Sequence, residues 1–409
     1  MREFSYPMVV ADGVGAIVRR LSDYLSTAED TSSYLITRRA LGLPAFEKRG
    51  NITVQRIGLD APKFISSLPR IGGYARKVAF SLHFNDARFL YDKTFLLDSV
   101  SEVKRLADEV ATSPMLKDVD VFHCHGVWSN FETYIGHYLS TRLKKPLIFQ
   151  LQGHFGPNVN ECMNLDRNRP WYDPVIGNAA LNGSTVIICG NKSTIEIMKK
   201  RTLSRVRFAF IPTCIDTRFF HPKNGTGSSK DVLFVGRLTE FKDPLTAVRA
   251  MKIVADSKPD VRLRILGGGP LTRRIQSLVE VLGLEKNVIM LGERPETKHF
   301  YQESAIFVAM SPIENFASNC ILEAMACGLT VIATDVGETR ELITDGRNGV
   351  LIPPRDPEAL ANAILSAFSN PSFYSDLSRN AIETAKQYDI NVLGAEYARL
   401  YREVSSEAQ

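Results

Sequence analysis

The 409-residue sequence is poor in cysteine, with six, and in tryptophan, with two. Cys124, Cys162, Cys189, Cys214, Cys320 and Cys327 are scattered and form no Cys-x-x-Cys. At this chain length the pattern excludes a disulfide framework and fits reduced core thiols of a cytosolic protein. No run approaches the ~18–20 apolar residues that a membrane span needs. The opening MREFSYPMVVADG lacks the layout of a signal peptide. There are seven histidines; His123 and His125 share one face of an expected strand over 119–125. The further ligands that zinc requires do not fall near them, so core or loop histidines are expected.

What is present is a chain long enough for two or three domains, each able to bury a full core. Its net charge of +5 is uneven. Residues 1–215 hold 28 Lys+Arg and 20 Asp+Glu, a net of +8, against 22 and 25, a net of −3, in the remainder. A basic first half suits an anionic acceptor or the inner leaflet of a membrane, and equally an ordinary basic surface. Within it, residues 68–97 mix Arg70, Arg76, Lys77 and Arg88 with Phe80, Leu82, Phe84, Phe89 and Phe95. That pattern fits a membrane-facing helix, and also a core-facing helix with a solvated rim.

The chain is organised around residues 311–334, SPIENFASNCILEAMACGLTVIAT. The apolar run 305–310 predicts a buried strand, which Ser311-Pro312 stops. Ser318 is placed to cap a helix, and Gly328 stands where that helix stops. Ile321, Leu322 and Met325 fall on one helical face, and residues 330–334 predict a second strand. Glu314 lies in the loop and Glu323 inside the helix. A helix N-terminus at the carboxyl edge of a strand suits phosphate, and ionised carboxylates beside it suit hydroxyls.

These words resemble the retaining glycosyltransferases of family 4, in which a Glu-[Gly/Asn/Ser]-Phe loop leads into Leu-Glu-Ala-Met-Ala-Cys-Gly. The chain has Glu314-Asn315-Phe316, followed after Ala317 and Ser318 by Leu322-Glu323-Ala324-Met325-Ala326-Cys327-Gly328. The resemblance implies that the first glutamate contacts the donor sugar and the second the ribose. The family has seven residues between the two; this chain has eight, so Asn315 stands at the family spacing from Glu323. In Val235-Gly236-Arg237-Leu238-Thr239-Glu240-Phe241-Lys242, Arg offers a planar fork and Lys a point charge to one diphosphate. The family holds donor phosphates with these two residues. Leu266-Gly267-Gly268-Gly269-Pro270 matches a second strand-end glycine loop, with Gly268 at the donor.

The first half resembles the family more loosely. Gly13 and Gly15 open an expected helix over 16–24, where the family has its first glycine-rich loop; a plain tight turn is the other reading. After an expected strand over 146–151, Gln152 stands before Gly153 where the family often has His-Gly. His154 is then favoured as the polar group near the reacting centre. Asp118-Val119-Asp120 spells a metal-binding Asp-x-Asp, but at a strand's start rather than on a loop after one.

The resemblance implies an α/β chain of the GT-B fold, two doubly wound Rossmann-like domains with a cleft between them. The expected domains are 1–210, a linker over 211–230, a nucleotide-sugar domain over 231–385, and a helix over 386–409 folded back on the first. The linker Ile211-Pro212-Thr213-Cys214-Ile215-Asp216, with Phe220 and Pro222, matches the family's Pro-Asn-Gly-Val-Asp…Phe-x-Pro. Implied is transfer of a sugar from a nucleotide sugar to a glycan or lipid-linked acceptor, with retention, no metal, no cofactor and no nucleic-acid partner. The expected place is cytoplasmic, including the inner face of the membrane. Two rivals remain open: a non-catalytic nucleotide-sugar-binding subunit, and a nucleotide-sugar epimerase of the same fold.

Overall fold

Apolar runs bounded by glycine- and proline-rich stretches set the strands of this protein. The computed structural model describes residues 13–28, 31–38, 46–57, 104–105, 107–126, 131–151, 174–223, 229–313 and 318–407. The chain divides into two compact units, Met1–Ile211 with Gly394–Gln409, and Pro212–Leu393. Among the described residues no helix is long and apolar enough to cross a membrane.

The first unit opens with α1 (Gly13–Ala28), β1 (Ser33–Arg38), β2 (Phe46–Arg49) and β3 (Ile52–Ile57). These strands form a sheet in the order β1-β3-β2, parallel between β1 and β3 and antiparallel between β2 and β3. Then come β4 (Phe122–Gly126), α2 (Phe131–Leu143), β5 (Leu147–Leu151), α3 (Pro174–Gly183), β6 (Val186–Cys189), α4 (Lys192–Lys199) and β7 (Arg207–Phe210). β4 to β7 lie side by side in chain order, all parallel. Three sequence expectations change here. α1 begins at Gly13, so Gly13 and Gly15 lie inside the helix and not in a turn before it. β4 begins at Phe122 and not at 119, because a 3-10 turn over Pro114–Leu116 holds Val119 N on Leu116 O at 3.4 Å. β2 was not expected. The stretch 68–97 lies outside the described residues.

Alternation along β4 sends Phe122 and Cys124 into a core with Leu147, Phe149 and Leu151, and His123 and His125 to the opposite face. The last helix, α12 (Ile390–Glu407), meets that face: the Tyr401 hydroxyl and His123 Nδ1 are 2.6 Å apart. Burial pushes His123 well below its ordinary value, with the neighbouring His125 adding to it, and burial pushes His125 down to about 4. A histidine lowered in the folded state is neutral there while its unfolded counterpart still binds a proton. Stability should therefore hold above about pH 6.5 and fall between there and about 4. His125 contributes no more than about 3 kcal/mol to that loss. Urea midpoints between pH 7.5 and 5 check this: the drop should be shallower in His125→Asn than in the parent, and equal slopes would contradict it.

The second unit alternates strand and helix throughout. It runs β8 (Asp231–Val235), α5 (Pro244–Ser257), β9 (Arg262–Leu266), α6 (Thr272–Leu282), β10 (Val288–Gly292), α7 (Lys298–Gln302) and β11 (Ile306–Ala309). It continues with α8 (Asn319–Ala326), β12 (Thr330–Thr334), α9 (Thr339–Leu342), β13 (Val350–Ile352), α10 (Pro357–Ser369) and α11 (Pro371–Gln387). The six strands are parallel in the order β10-β9-β8-β11-β12-β13. The central strands are largely apolar, with Asp231, Arg262 and Arg264 the charged exceptions in β8 and β9; Val232, Phe234, Leu263, Ile265, Val308 and Ile332 pack in one cluster with Val248 and Met251 of α5 and Leu360 and Ile364 of α10. The chain winds outward from β8 to β10 on one side and restarts at β11 on the other. That reversal lies between β8 and β11, where doubly wound sheets hold ligands outside the strands' carboxyl ends.

Candidate functional site

The site assembles at that reversal from the turn after β8 and the start of α8. After β8, Gly236 N donates to Leu266 O (3.0 Å), Thr239 N to Arg237 O (2.9 Å), and Lys242 N to Thr239 O (3.0 Å). Asp243 closes the turn as the N-cap of α5, accepting from Thr246 N at 3.2 Å and from Thr246 Oγ1 at 2.7 Å. This ties the turn to a fully packed helix. Arg237 is exposed and Lys242 half-buried, its stem running beside Gly236 with Cγ 3.8 Å from where a Cβ would stand. Among the described residues neither Arg237 nor Lys242 forms an ion pair.

α8 faces the same crevice, which is lined by Phe234, Lys242, Ala309, Met310, Ser318, Cys320 and Ile321. Ser318 is in the extended N-cap position but makes no side-chain cap bond, so the expected cap is one of position only. The N-terminal end of the α8 dipole adds partial positive charge to that of Lys242. The helix ends as expected at Gly328, with Gly328 N on Met325 O and Leu329 N on Ala324 O, each at 3.0 Å. Ile321, Leu322, Ala324 and Met325 are wholly buried, which fixes the roll of α8 and with it Glu323, itself only 8% exposed. Beside Glu323 lie the buried hydroxyl of Tyr301 and the thiol of Cys320. Burial and the Glu323 carboxylate push the Cys320 thiol up to about 11, against the pull of Lys242. At neutral pH it stays a thiol and is no nucleophile.

The glycine run after β9 is joined to this turn. Leu238 N donates to Gly268 O (2.9 Å) and Leu271 N to Leu238 O (3.0 Å). A Cβ on Gly267 would stand 2.0 Å from Gly236 O, and one on Gly269 2.6 Å from Leu238 O. These glycines let two backbones touch; they are packing positions first. One edge of the second unit thus brings together Gly236, Arg237, Lys242, Gly268, Ser318 and Glu323. Gly15 lies in the first unit, inside α1. His154, Glu314, Asn315, Phe316 and Ala317 lie outside the described residues. Sequence reasoning missed Tyr301 behind Glu323 and Glu293 over Gly268. The only signal for Glu293 was its place just after the glycine that ends β10. Among the described residues no group of three His, Cys, Asp or Glu could hold a metal ion.

Residues 216–387 match the family described as glycosyl transferases group 1. The D-inositol 3-phosphate glycosyltransferase of Corynebacterium urealyticum is 30% identical over 43% of this chain and 43% of its own. The poly(glycerol-phosphate) alpha-glucosyltransferase of Bacillus subtilis is 29% identical over 65% of this chain and 37% of its own. The chain thus spans less than half the length of these two relatives. Among solved structures, the sucrose-phosphate synthase of Thermosynechococcus elongatus superposes with a TM-score of 0.71 at 21% identity, over 98% of this chain and 97% of that one. That likeness is one of fold, the two-domain Rossmann-like GT-B fold. The stretch carrying the crevice between β8 and β11 lies within the residues that match that family.

Proposed function

We propose that this protein is a retaining glycosyltransferase of family 4, moving a sugar from a nucleoside-diphosphate sugar to a glycan or lipid-linked acceptor without a metal. The observation that carries this reading is the pair Arg237 and Lys242 on the turn after β8, free of ion pairs among the described residues, with Lys242 lining the crevice beside the N-terminus of α8. Fixed positive charge of this kind stabilises a leaving diphosphate as it forms. The bond between the anomeric carbon and the phosphate oxygen breaks, and the acceptor hydroxyl oxygen bonds to that carbon from the same face. The acceptor's proton passes to the departing phosphate. Glu323 binds the ribose and His154 serves the donor sugar near the reacting carbon. The cation surplus of residues 1–215 supports contact with an anionic acceptor or the inner face of a membrane.

Glu314 is the carboxylate that reads the donor sugar, with the extra residue taken up in the loop before Ser318. An insertion inside α8 would instead rotate Glu323 by about 100°, away from a helix face that its buried neighbours fix. Turnover assays test the assignment. Glu314→Gln removes only the charge that favours a developing oxocarbenium and should lower turnover with little loss of nucleotide affinity. Asn315→Ala should be milder. A silent Glu314→Gln with a dead Asn315→Ala would reverse the two roles.

A further inference from the structure

The glycine run after β9 carries a carboxylate where a phosphate cradle would need none. Gly267 and Gly269 are accounted for by backbone against backbone. Gly268 is accounted for by a side chain: its Cβ would lie 2.7 Å from Glu293 Oε1 and 3.0 Å from Glu293 Cγ. The delivery of Glu293 to this place is built in. β10 ends at Gly292 with φ +69°, and Gly292 O accepts from Gly267 N at 2.9 Å, so the ends of β9 and β10 are tied and Glu293 turns over Gly268. Glu293 is exposed, and among the described residues its carboxylate makes neither an ion pair nor a hydrogen bond.

An unpaired carboxylate repels phosphate. The edge is therefore divided: Arg237, Lys242 and the start of α8 on the β8–β11 side, an acceptor-only group on the β9–β10 side. β9 is the immediate neighbour of β8, and adjacent strands are about 4.8 Å apart. A nucleotide with its diphosphate at the first place thus has its base within reach of the second. Resting on the nucleotide-sugar reading above, we infer that Glu293 reads the nucleobase of the donor and selects guanine. A carboxylate offers two acceptor oxygens and no donor. Guanine presents N1–H and an N2–H side by side, one for each oxygen. Uracil presents a single N–H between two carbonyls, and adenine an amino group beside an acceptor nitrogen, so each sets an acceptor against the second oxygen.

Calorimetric titration of the full chain with GDP, UDP and ADP tests this. GDP should bind at least about tenfold tighter than UDP or ADP, the effect of hydrogen bonds to a charged group. Glu293→Gln should lower GDP affinity by about tenfold and leave UDP unchanged or improved. Gly268→Ala, whose methyl displaces the Glu293 carboxyl, should act in the same direction. Arg237→Ala should weaken all three alike. Melting temperatures of the Glu293 variant should match the parent, since the side chain is exposed. UDP binding as tight as GDP, or a guanine preference surviving in both variants, would overturn the assignment and leave the transferase reading standing. Failure of all three nucleotides to bind would overturn the transferase reading and this inference with it.

Discussion

Arg237→Ala should slow sugar transfer by about 100- to 1000-fold, the usual effect of removing one fixed donor from a developing anion. The guanidinium can face two phosphate oxygens at once. Lys242 stays in the variant as a point charge, so binding of the ground-state nucleotide should weaken less than turnover. The fold should survive. Arg237 is exposed and forms no ion pair among the described residues, and the turn that bears it is held by backbone bonds and by the Asp243 cap. Arg237→Lys should recover part of the rate and none of the bidentate geometry. Steady-state kinetics with a saturating donor checks this; an Arg237→Ala protein with parental turnover would remove the cation pair from the mechanism.

Gly267→Ala should destabilise the second unit by more than about 3 kcal/mol and abolish nucleotide binding. The added methyl would stand 2.0 Å from Gly236 O and 3.0 Å from its carbonyl carbon. Both partners are backbone in the middle of paired strand ends, so neither can swing aside as a side chain would. Gly267 also has φ +142°, a conformation that L side chains rarely adopt. Relief requires the ends of β8 and β9 to part, at the expense of Gly236 N on Leu266 O and Gly267 N on Gly292 O. The turn bearing Arg237 and Lys242 then loses its position. Gly268→Ala is the control, because it meets only the exposed Glu293 side chain and should fold normally. Urea midpoints of the two variants separate them; parental stability in Gly267→Ala would contradict the packing account.

The second unit was legible because its central strands, β8, β11 and β12, are short and almost wholly buried. The run 305–310, ending at Ser311-Pro312, and the run 330–334 predict strands, and β11 and β12 fall there. The turn after β8 was legible for another reason: two cations five residues apart follow a strand end. β2 was not legible, since Phe-Glu-Lys-Arg has no apolar alternation and, among the described residues, pairs with β3 alone. The side-chain role of Ser318 was overread, because residue type gives the cap position but not the rotamer. His123 and His125 were placed on one face, but the partner of His123, Tyr401, is 278 residues away, beyond any local pattern. Glu293 and Tyr301 were missed for the same reason: what sets them beside Gly268 and Glu323 is strand order and helix packing, which single-segment reasoning does not contain.

The central claim is that two side-chain cations carry a nucleoside diphosphate away from a sugar that an acceptor then takes. Release of free nucleoside diphosphate from a matching nucleotide sugar tests it most directly, measured with and without acceptor in the presence of EDTA. The account predicts release that depends on acceptor and is indifferent to EDTA. Nucleotide release only when magnesium is restored, conversion of the donor without any acceptor, or no release under any condition would contradict it.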